Sequence, residues 1–499
     1  MPQPEIRTDA GPTSPGPEGA GARRRWWALV VIGLAQLMVV LDATIVNIAL
    51  PSAQSALDFS DGDRQWVLTS YALPFGSLLL LGGRVADLFG RKRAFLIGLV
   101  GFAGASAVGG AATGFAMLVA ARAGQGLSGA LLAPAALSLL TTTFTDPGER
   151  AKAFSVFGVI AGAGGAVGLL LGGVLTEYVN WRWCLYVNLG FALAAFVGGA
   201  VVLTGTRRIT ARPKLDLPGT VAVSAGVFSL VYGTANAELD GWSAPSAWGF
   251  LVAGTALLVV FLWWQSRAPQ PLLPLRVLLD RNRGASFLSI LVVGCGLMGI
   301  FLFLTYYLQQ SLGYSALNTG LAFLPMIGAM GVAPVLAAGL VPRIGPRPVV
   351  PVGMALTAVG LVWLTSLDLG SSYPTGVLPA LLVVGAGLGG AMAPAINLAT
   401  YGVDAEDAGV ASATVNMVLQ VGGSLSLALL NTLATGAASD YLHRRGHSDA
   451  AVQEAALRSY ATAYWWSAAL FVAGAVISFL LYRRGKVDVD PQGGHAVPA

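Results

Sequence analysis

Two ionisable side chains sit inside long apolar runs, Asp42 and Arg122. A charge held in a bilayer interior costs roughly 2.5–3.5 kcal/mol on insertion scales, so each is a functional candidate by its position alone. At ~1.5 Å per helical residue, Asp42 lies roughly 22 Å from the end of its run that follows the basic N-terminal stretch, and Arg122 falls at about 21 Å on the same scale. The shared depth lets the two pair if their helices are neighbours. Desolvation then favours the neutral acid, the guanidinium favours the anion, and the competition makes a proton switch. A staple that only joins helices is the alternative reading. Other chemistry finds little support. Cys184 and Cys295 both stand in apolar surroundings and read as packing. His443, His447 and His495 all lie outside the apolar runs, so no metal centre or catalytic triad is expected.

The elements that carry these residues are membrane helices. Of 499 residues, 55% are hydrophobic and 11% charged, against roughly 25% charged in soluble domains. Sixty-five glycines suit helices that approach closely in lipid. With about 20 apolar residues needed per crossing, fourteen spans are expected, near 27–50, 65–81, 94–112, 116–144, 153–175, 183–204, 217–235, 246–265, 285–308, 318–340, 348–366, 376–399, 409–432 and 460–482. The thirteenth is interrupted by Asn416, Gln420, Ser424 and Asn431. Residues 1–25 are expected to be a disordered tail, and the run after Arg25, which lacks a small-residue cleavage site, a permanent first helix.

An even number of crossings puts both termini on one side. Of the 29 Lys and Arg residues, 23 fall in the tails and loops of that side, five in the alternate loops, and Arg122 within a helix. The positive-inside rule makes the richer side cytoplasmic. The basic balance of +5 is thus topological and implies no nucleic-acid partner. Trp26, Trp27, Trp263 and Trp264 mark one interface, and Trp66, Trp181, Trp183 and Trp242 the other. GGRVADLFGRKRAF at 82–95 returns in diluted form as GLVPRIGPRPVV at 339–350. That repeat divides the chain into a six-helix bundle at 26–204, a two-helix insert with linkers at 205–284, a second six-helix bundle at 285–482 and a tail at 483–499. Two such bundles around a central site are a transporter plan.

GGRVADLFGRKR resembles the signature loop of the major facilitator superfamily, and LDATIVNIALP (41–51) the first-helix motif of its fourteen-helix drug:proton antiporters. ARAGQGLSGALLAP (121–134), WRWCLYVNLG (181–190), PLLPLRVLLDRNR (271–283), YYLQQSLGYSALNTGLAFLP (306–325) and GVASATVNMVLQVGG (409–423) are similar to further landmarks of that subgroup, in order over residues 26–482. The resemblance implies an all-α membrane fold and proton-coupled export by alternating access. It also implies that the loop with Gly83, Asp87, Gly90, Arg91 and Lys92 latches the two halves in the outward-facing state. Leu88 stands where relatives often have a base. The family's fifth-helix motif Gly-Pro-x-x-Gly-Gly here reads Gly168, Leu169, Leu170, Leu171, Gly172, Gly173. Without the proline that helix should run straighter, while Gly164, Gly168, Gly172 and Gly173 still permit close packing.

Polar residues within apolar runs are the candidates for a substrate cavity: Gln36, Asn47, Asn188, Tyr232, Tyr306, Tyr307, Asn397, Asn416 and Gln420. Residues of this kind also serve as glue between helices, at ~0.6 kcal/mol each. The expected protein is a monomeric bacterial plasma-membrane exporter of lipophilic small molecules, using protons and no cofactor or metal. The excess of arginine over lysine, 25 to 4, fits a GC-rich genome. An uncoupled facilitator of the same fold is the alternative. An enzyme or nucleotide-driven pump is disfavoured, since no loop gathers a catalytic cluster or a Gly-x-x-x-x-Gly-Lys-Ser/Thr sequence.

Overall fold

A computed structural model describes residues 17–60, 63–144, 146–203, 216–239, 244–269, 271–401, 403, 408–446 and 448–485. Among them are fourteen long helices and no strand. In the first half they are α1 (Pro17–Leu57), α2 (Arg64–Phe89), α3 (Arg91–Gly110), α4 (Phe115–Thr143), α5 (Pro147–Tyr178) and α6 (Trp183–Val202). The insert comprises α7 (Leu217–Leu239) and α8 (Pro245–Gln265). After the short α9 (Leu275–Leu279) come α10 (Arg281–Tyr306), α11 (Ala316–Ile344), α12 (Pro346–Leu364), α13 (Leu378–Thr400), α14 (Ala408–Arg445) and α15 (Asp449–Leu481). Their outward surface is apolar, with Ile97, Val100, Leu193, Val197, Val201 and Val259 exposed, as a surface solvated by lipid requires.

The diluted sequence repeat returns as a repeat of packing. In the first half α4 packs on α2 and α3, and α1 on α5 and α6; in the second, α13 packs on α11 and α12, and α10 on α14 and α15. Glycine makes these crossings tight. A Cβ on Gly126 of α4 would lie 2.1 Å from the Tyr71 carbonyl oxygen of α2, and one on Gly385 of α13 would lie 2.2 Å from the Met326 carbonyl oxygen of α11. The halves meet along two seams, α5 on α11 and α2 on α14. Helix α7 packs on both α2 and α14, covering the second seam, and α8 packs on α7.

A buried carboxylate buckles this insert to the linker that follows it. Asp216, just before α7, accepts hydrogen bonds from the Trp264 indole (2.6 Å), the Gln265 amide (2.7 Å) and the Gly219 backbone (3.0 Å), while the Leu273 backbone donates to the Gln265 side-chain oxygen at 2.9 Å. Burial pushes the Asp216 carboxyl up, but these donors together outweigh burial and hold it below its ordinary value.

Three elements depart from the sequence expectation. Helix α1 begins at Pro17, inside the stretch expected to be a disordered tail. Its early turns are tied down where Arg24 donates to the Val202 carbonyl at 2.9 Å and Arg25 pairs with Glu149 at 3.2 Å. Helices α14 and α15 run past the expected limits of 432 and 460 and form a helical hairpin, in which Arg458 lies over the Tyr441 ring at 4.6 Å and pairs with Glu454 at 3.5 Å. His443, outside the apolar runs, therefore sits in the last turn of α14; His447 lies outside the described residues.

Gly126→Ala should lower the melting temperature of the detergent-purified protein, since a methyl driven against backbone at a packed crossing costs about 1–3 kcal/mol. Gly104→Ala, where nothing lies within 4 Å, should not. Equal melting of the two variants in a thermal unfolding series would remove the close crossing as a stabilising feature.

Candidate functional site

The centre of the first half is a closed polar cluster in an otherwise apolar bundle. Asp42 of α1 and Arg122 of α4 are brought together, with guanidinium Nη1 2.6 Å from carboxylate Oδ2 and the two side chains 0% and 1% exposed. The other carboxylate oxygen, Oδ1, accepts from the Gln125 amide at 2.8 Å and the Asn188 amide of α6 at 2.7 Å. Gln125 also donates to the Ser106 hydroxyl of α3 at 2.8 Å and accepts from Arg122 at 2.8 Å, and Arg122 Nε donates to the Val67 carbonyl of α2 at 3.1 Å. The guanidinium lies 4.5 Å from the Tyr71 ring centre, with Phe75 stacked behind it. Charge-assisted bonds of this length are strong, and in a low-dielectric interior the pair compensates a desolvation that neither ion could bear alone.

Each helix supplies its member for a local reason. Gln125 follows Arg122 by three residues, which puts both on one face of α4. Helix α1 is backed by the glycine stripe of α5: Cβ atoms on Gly164, Gly168 and Gly172 would press on Val40, Thr44 and Ile45. Gly173 instead faces α11 of the other half, where a Cβ would lie 2.6 Å from the Leu317 Cα. Leu169 is fully buried, and α5 runs unbroken past it. Its carbonyl abuts Gly320 of α11, 2.5 Å from where a Cβ there would sit.

The turn between α2 and α3 is made by Gly90 at φ +97°, a backbone that side-chain-bearing residues rarely adopt. A Cβ on Gly83 would touch Pro134 of α4 at 3.5 Å. Lys92 donates to the Ala200 and Leu203 carbonyls at 2.7 and 2.6 Å, closing the end of α6 within its own half. Arg91 opens α3, and the Asp87 side chain lies outside the described ones.

The expected cavity residues do not converge. Gln420 lines a chamber of ≈ 30 Å³ between the halves with Ala43, Tyr71, Arg122, Met298 and Gly423. Asn188 belongs to the Asp42 cluster. Asn47 is buried, its amide bonded to the Ala43 carbonyl at 2.8 Å and its oxygen unpaired. Gln36 is half-buried, and Asn397 and Asn416 are exposed. Tyr232 stands away from the seam chamber, among Trp66, Phe228 and Phe250 where the insert meets α2. Tyr306 and Tyr307 belong to a closure at the face opposite the two ends of the chain, here called the far face. Tyr306 donates to Gln54 of α1 at 3.0 Å beneath the Arg64 guanidinium, and Tyr307 donates to the Asp368 carbonyl at 2.8 Å. Gln309 donates to the Ile48 carbonyl at 3.2 Å, and the Leu317 backbone to Glu177 at 3.0 Å. The halves are thus bonded across the far face. At the face bearing the two ends, Arg24, Arg25, Lys92, Arg281 and Arg347 each bond within their own half. This chamber of 30 Å³ holds one water and no drug-sized molecule.

Gln125, Ser106 and Tyr71 escaped the sequence reading. Gln125 was legible from its spacing to Arg122; the other two are ordinary residue types whose role comes only from the neighbours that packing provides.

Two structurally repeated halves, a seam between them and an ion pair beside the seam are the build of a secondary membrane transporter. Residues 32–427 match the Major Facilitator Superfamily, and the chain belongs to that family. It is 48% identical over 477 residues to the puromycin resistance protein of Streptomyces alboniger, covering 95% of this chain and 94% of that one. It is 39% identical over 411 residues to the cephamycin export protein of Amycolatopsis lactamdurans, covering 81% and 84%. The bacterial homologue of the human lysosomal transporter Spinster, inward-facing and unoccupied, shares the fold at TM-score 0.66 with 14% identity, covering 94% and 98%. The protein is accordingly a multi-pass membrane transporter and not an enzyme.

Removing one member of the buried pair should cost about 3–5 kcal/mol by leaving an uncompensated charge. Arg122→Gln is expected to lower the melting temperature sharply, and adding Asp42→Asn should recover much of the loss. A double variant no more stable than Arg122→Gln alone would argue against the pair as the source of the cost.

Proposed function

We propose that this transporter expels lipophilic, antibiotic-like molecules in exchange for protons by alternating access. The observation that carries the reading is the buried ion pair of Asp42 and Arg122, whose Arg122 side lines the chamber between the halves. Protonation of Asp42 dissolves the pair and frees the guanidinium, so proton binding alters the wall that a substrate would meet. The two relatives, a puromycin resistance protein and a cephamycin export protein, support this direction of transport and substrate class. The basic loops orient the two ends toward the cytoplasm, so the far face, bonded across the halves here, is read as the external one. In this reading the turn with Gly83, Asp87, Gly90, Arg91 and Lys92 engages as a latch in the opposite state. Leu169, in place of the family's proline, is the one feature that favours an uncoupled facilitator.

Asp42→Asn, which leaves Arg122 unpaired and should melt at a lower temperature, is expected to keep equilibrative movement of puromycin but lose uphill export, because a neutral amide cannot alternate charge through the cycle. Proton-driven efflux from inverted vesicles measures this; efflux at the wild-type rate would take Asp42 out of the mechanism, and wild-type protein that only equilibrates puromycin would favour the facilitator.

Substrate charge offers a further test. Arg122 is a cation on the chamber wall, the Asp42 carboxylate is already paired with it, and an unpaired charge taken out of water is costly. Neutral or singly charged compounds should therefore compete better for transport than matched dications. A series in which the dications win would overturn the charge argument.

A further inference from the structure

Two hydrogen-bond donors on the wall of the chamber between the halves have no partner. Thr69 of α2 lines the chamber, is 1% exposed, and carries a hydroxyl that bonds to nothing. A threonine inside a helix can turn that hydroxyl to the carbonyl one turn back, as the equally buried Thr357 and Thr414 do toward Gly353 and Val410 at 3.0 and 2.8 Å. Thr69 forgoes that bond, and a buried donor left unpaired is costly. Arg122 lines the chamber from α4. Its Nη1 and Nε are engaged by Asp42, Gln125 and the Val67 carbonyl, while its Nη2 forms no hydrogen bond among the described residues. Around these donors the wall is mostly apolar, with Ala43, Leu68, Ala72 and Met298 beside Gln420 and Tyr71.

Resting on the export reading above, we infer that this chamber is the seat of one acceptor oxygen, a carbonyl or ether, on an otherwise lipophilic substrate, and that Thr69 is the residue that selects for it. A space of ≈ 30 Å³ takes a single group of that size. A guanidinium nitrogen donates and cannot accept, so an oxygen gains from Arg122 where a ligand N–H does not. Thr69 supplies the second donor, and the apolar remainder of the wall suits a body without further charge. The hydroxyl that is unpaired within the protein finds its partner in that oxygen.

The test is competition against puromycin movement in inverted vesicles by fluorenone and fluorene, which differ by one carbonyl oxygen, at equal membrane concentration. In the wild-type protein the ketone should compete about tenfold better or more, because a site built on donors penalises an analogue that leaves them unpaired. Thr69→Val should bring the two compounds within about threefold of each other, and Thr69→Ser should restore the preference. The melting temperature of Thr69→Val without ligand should not fall, since the hydroxyl it lacks makes no bond in the protein. Equal competition by the two compounds in the wild type, a preference that survives Thr69→Val, or a lowered melting temperature for that variant would each overturn the inference. The two readings fail separately. Wild-type protein that only equilibrates puromycin, yet prefers the ketone through Thr69, leaves the seat standing and removes coupled export. Uphill export with no such preference removes the seat alone, and wild-type protein that moves no puromycin overturns both.

Discussion

An ion pair in a medium that cannot solvate it sets the terms for the rest of the molecule. Lipid and packed side chains offer no water to Asp42 or Arg122, so each must be met by protein groups at hydrogen-bond distance. Meeting them draws on five helices: α1 supplies the acid, α4 the base and Gln125, α3 Ser106, α6 Asn188, and α2 the Val67 carbonyl and the Tyr71 ring. The cluster is therefore also the joint of the first half. A rearrangement of any one of these groups is therefore felt by all five helices.

The second half repeats the helix order and the crossings but not the chemistry. Its equivalent contacts are made by backbone against glycine, as where Gly385 meets the Met326 carbonyl, and by apolar packing around Tyr306, Phe323 and Met326. Buried charge is thus unevenly divided: the ion pair lies in the first half, while the second contributes Tyr306 and Gln309 to the bonds across the far face. The insert adds a further asymmetry. By lying on both α2 and α14, α7 covers one seam and, among the described residues, not the α5–α11 seam, and the Asp216 buckle holds the insert to the linker that enters the second half.

Much of this was legible in the chain itself. Apolar runs long enough to cross a bilayer announce the helices because lipid forces every backbone group to be satisfied within its own segment. The deep placement of Asp42 and Arg122 singled out the coupling candidates because uncompensated charge in lipid is too costly to be incidental, and their equal depth anticipated the contact. The glycines of α5 likewise declared a close helix crossing, though not the partner at each position. What tertiary structure alone decided were the relations between distant segments. Asn188 and Ser106 became part of the Asp42 cluster, while Tyr306 and Tyr307, of the same apparent promise, became parts of a closure and Tyr232 a contact of the insert. Pattern along one helix gives the depth of a side chain and the face it shares with its own neighbours. Which helix lies against that face is set by the packing of all of them at once, and a polar group in lipid acquires its role from the partner it finds there.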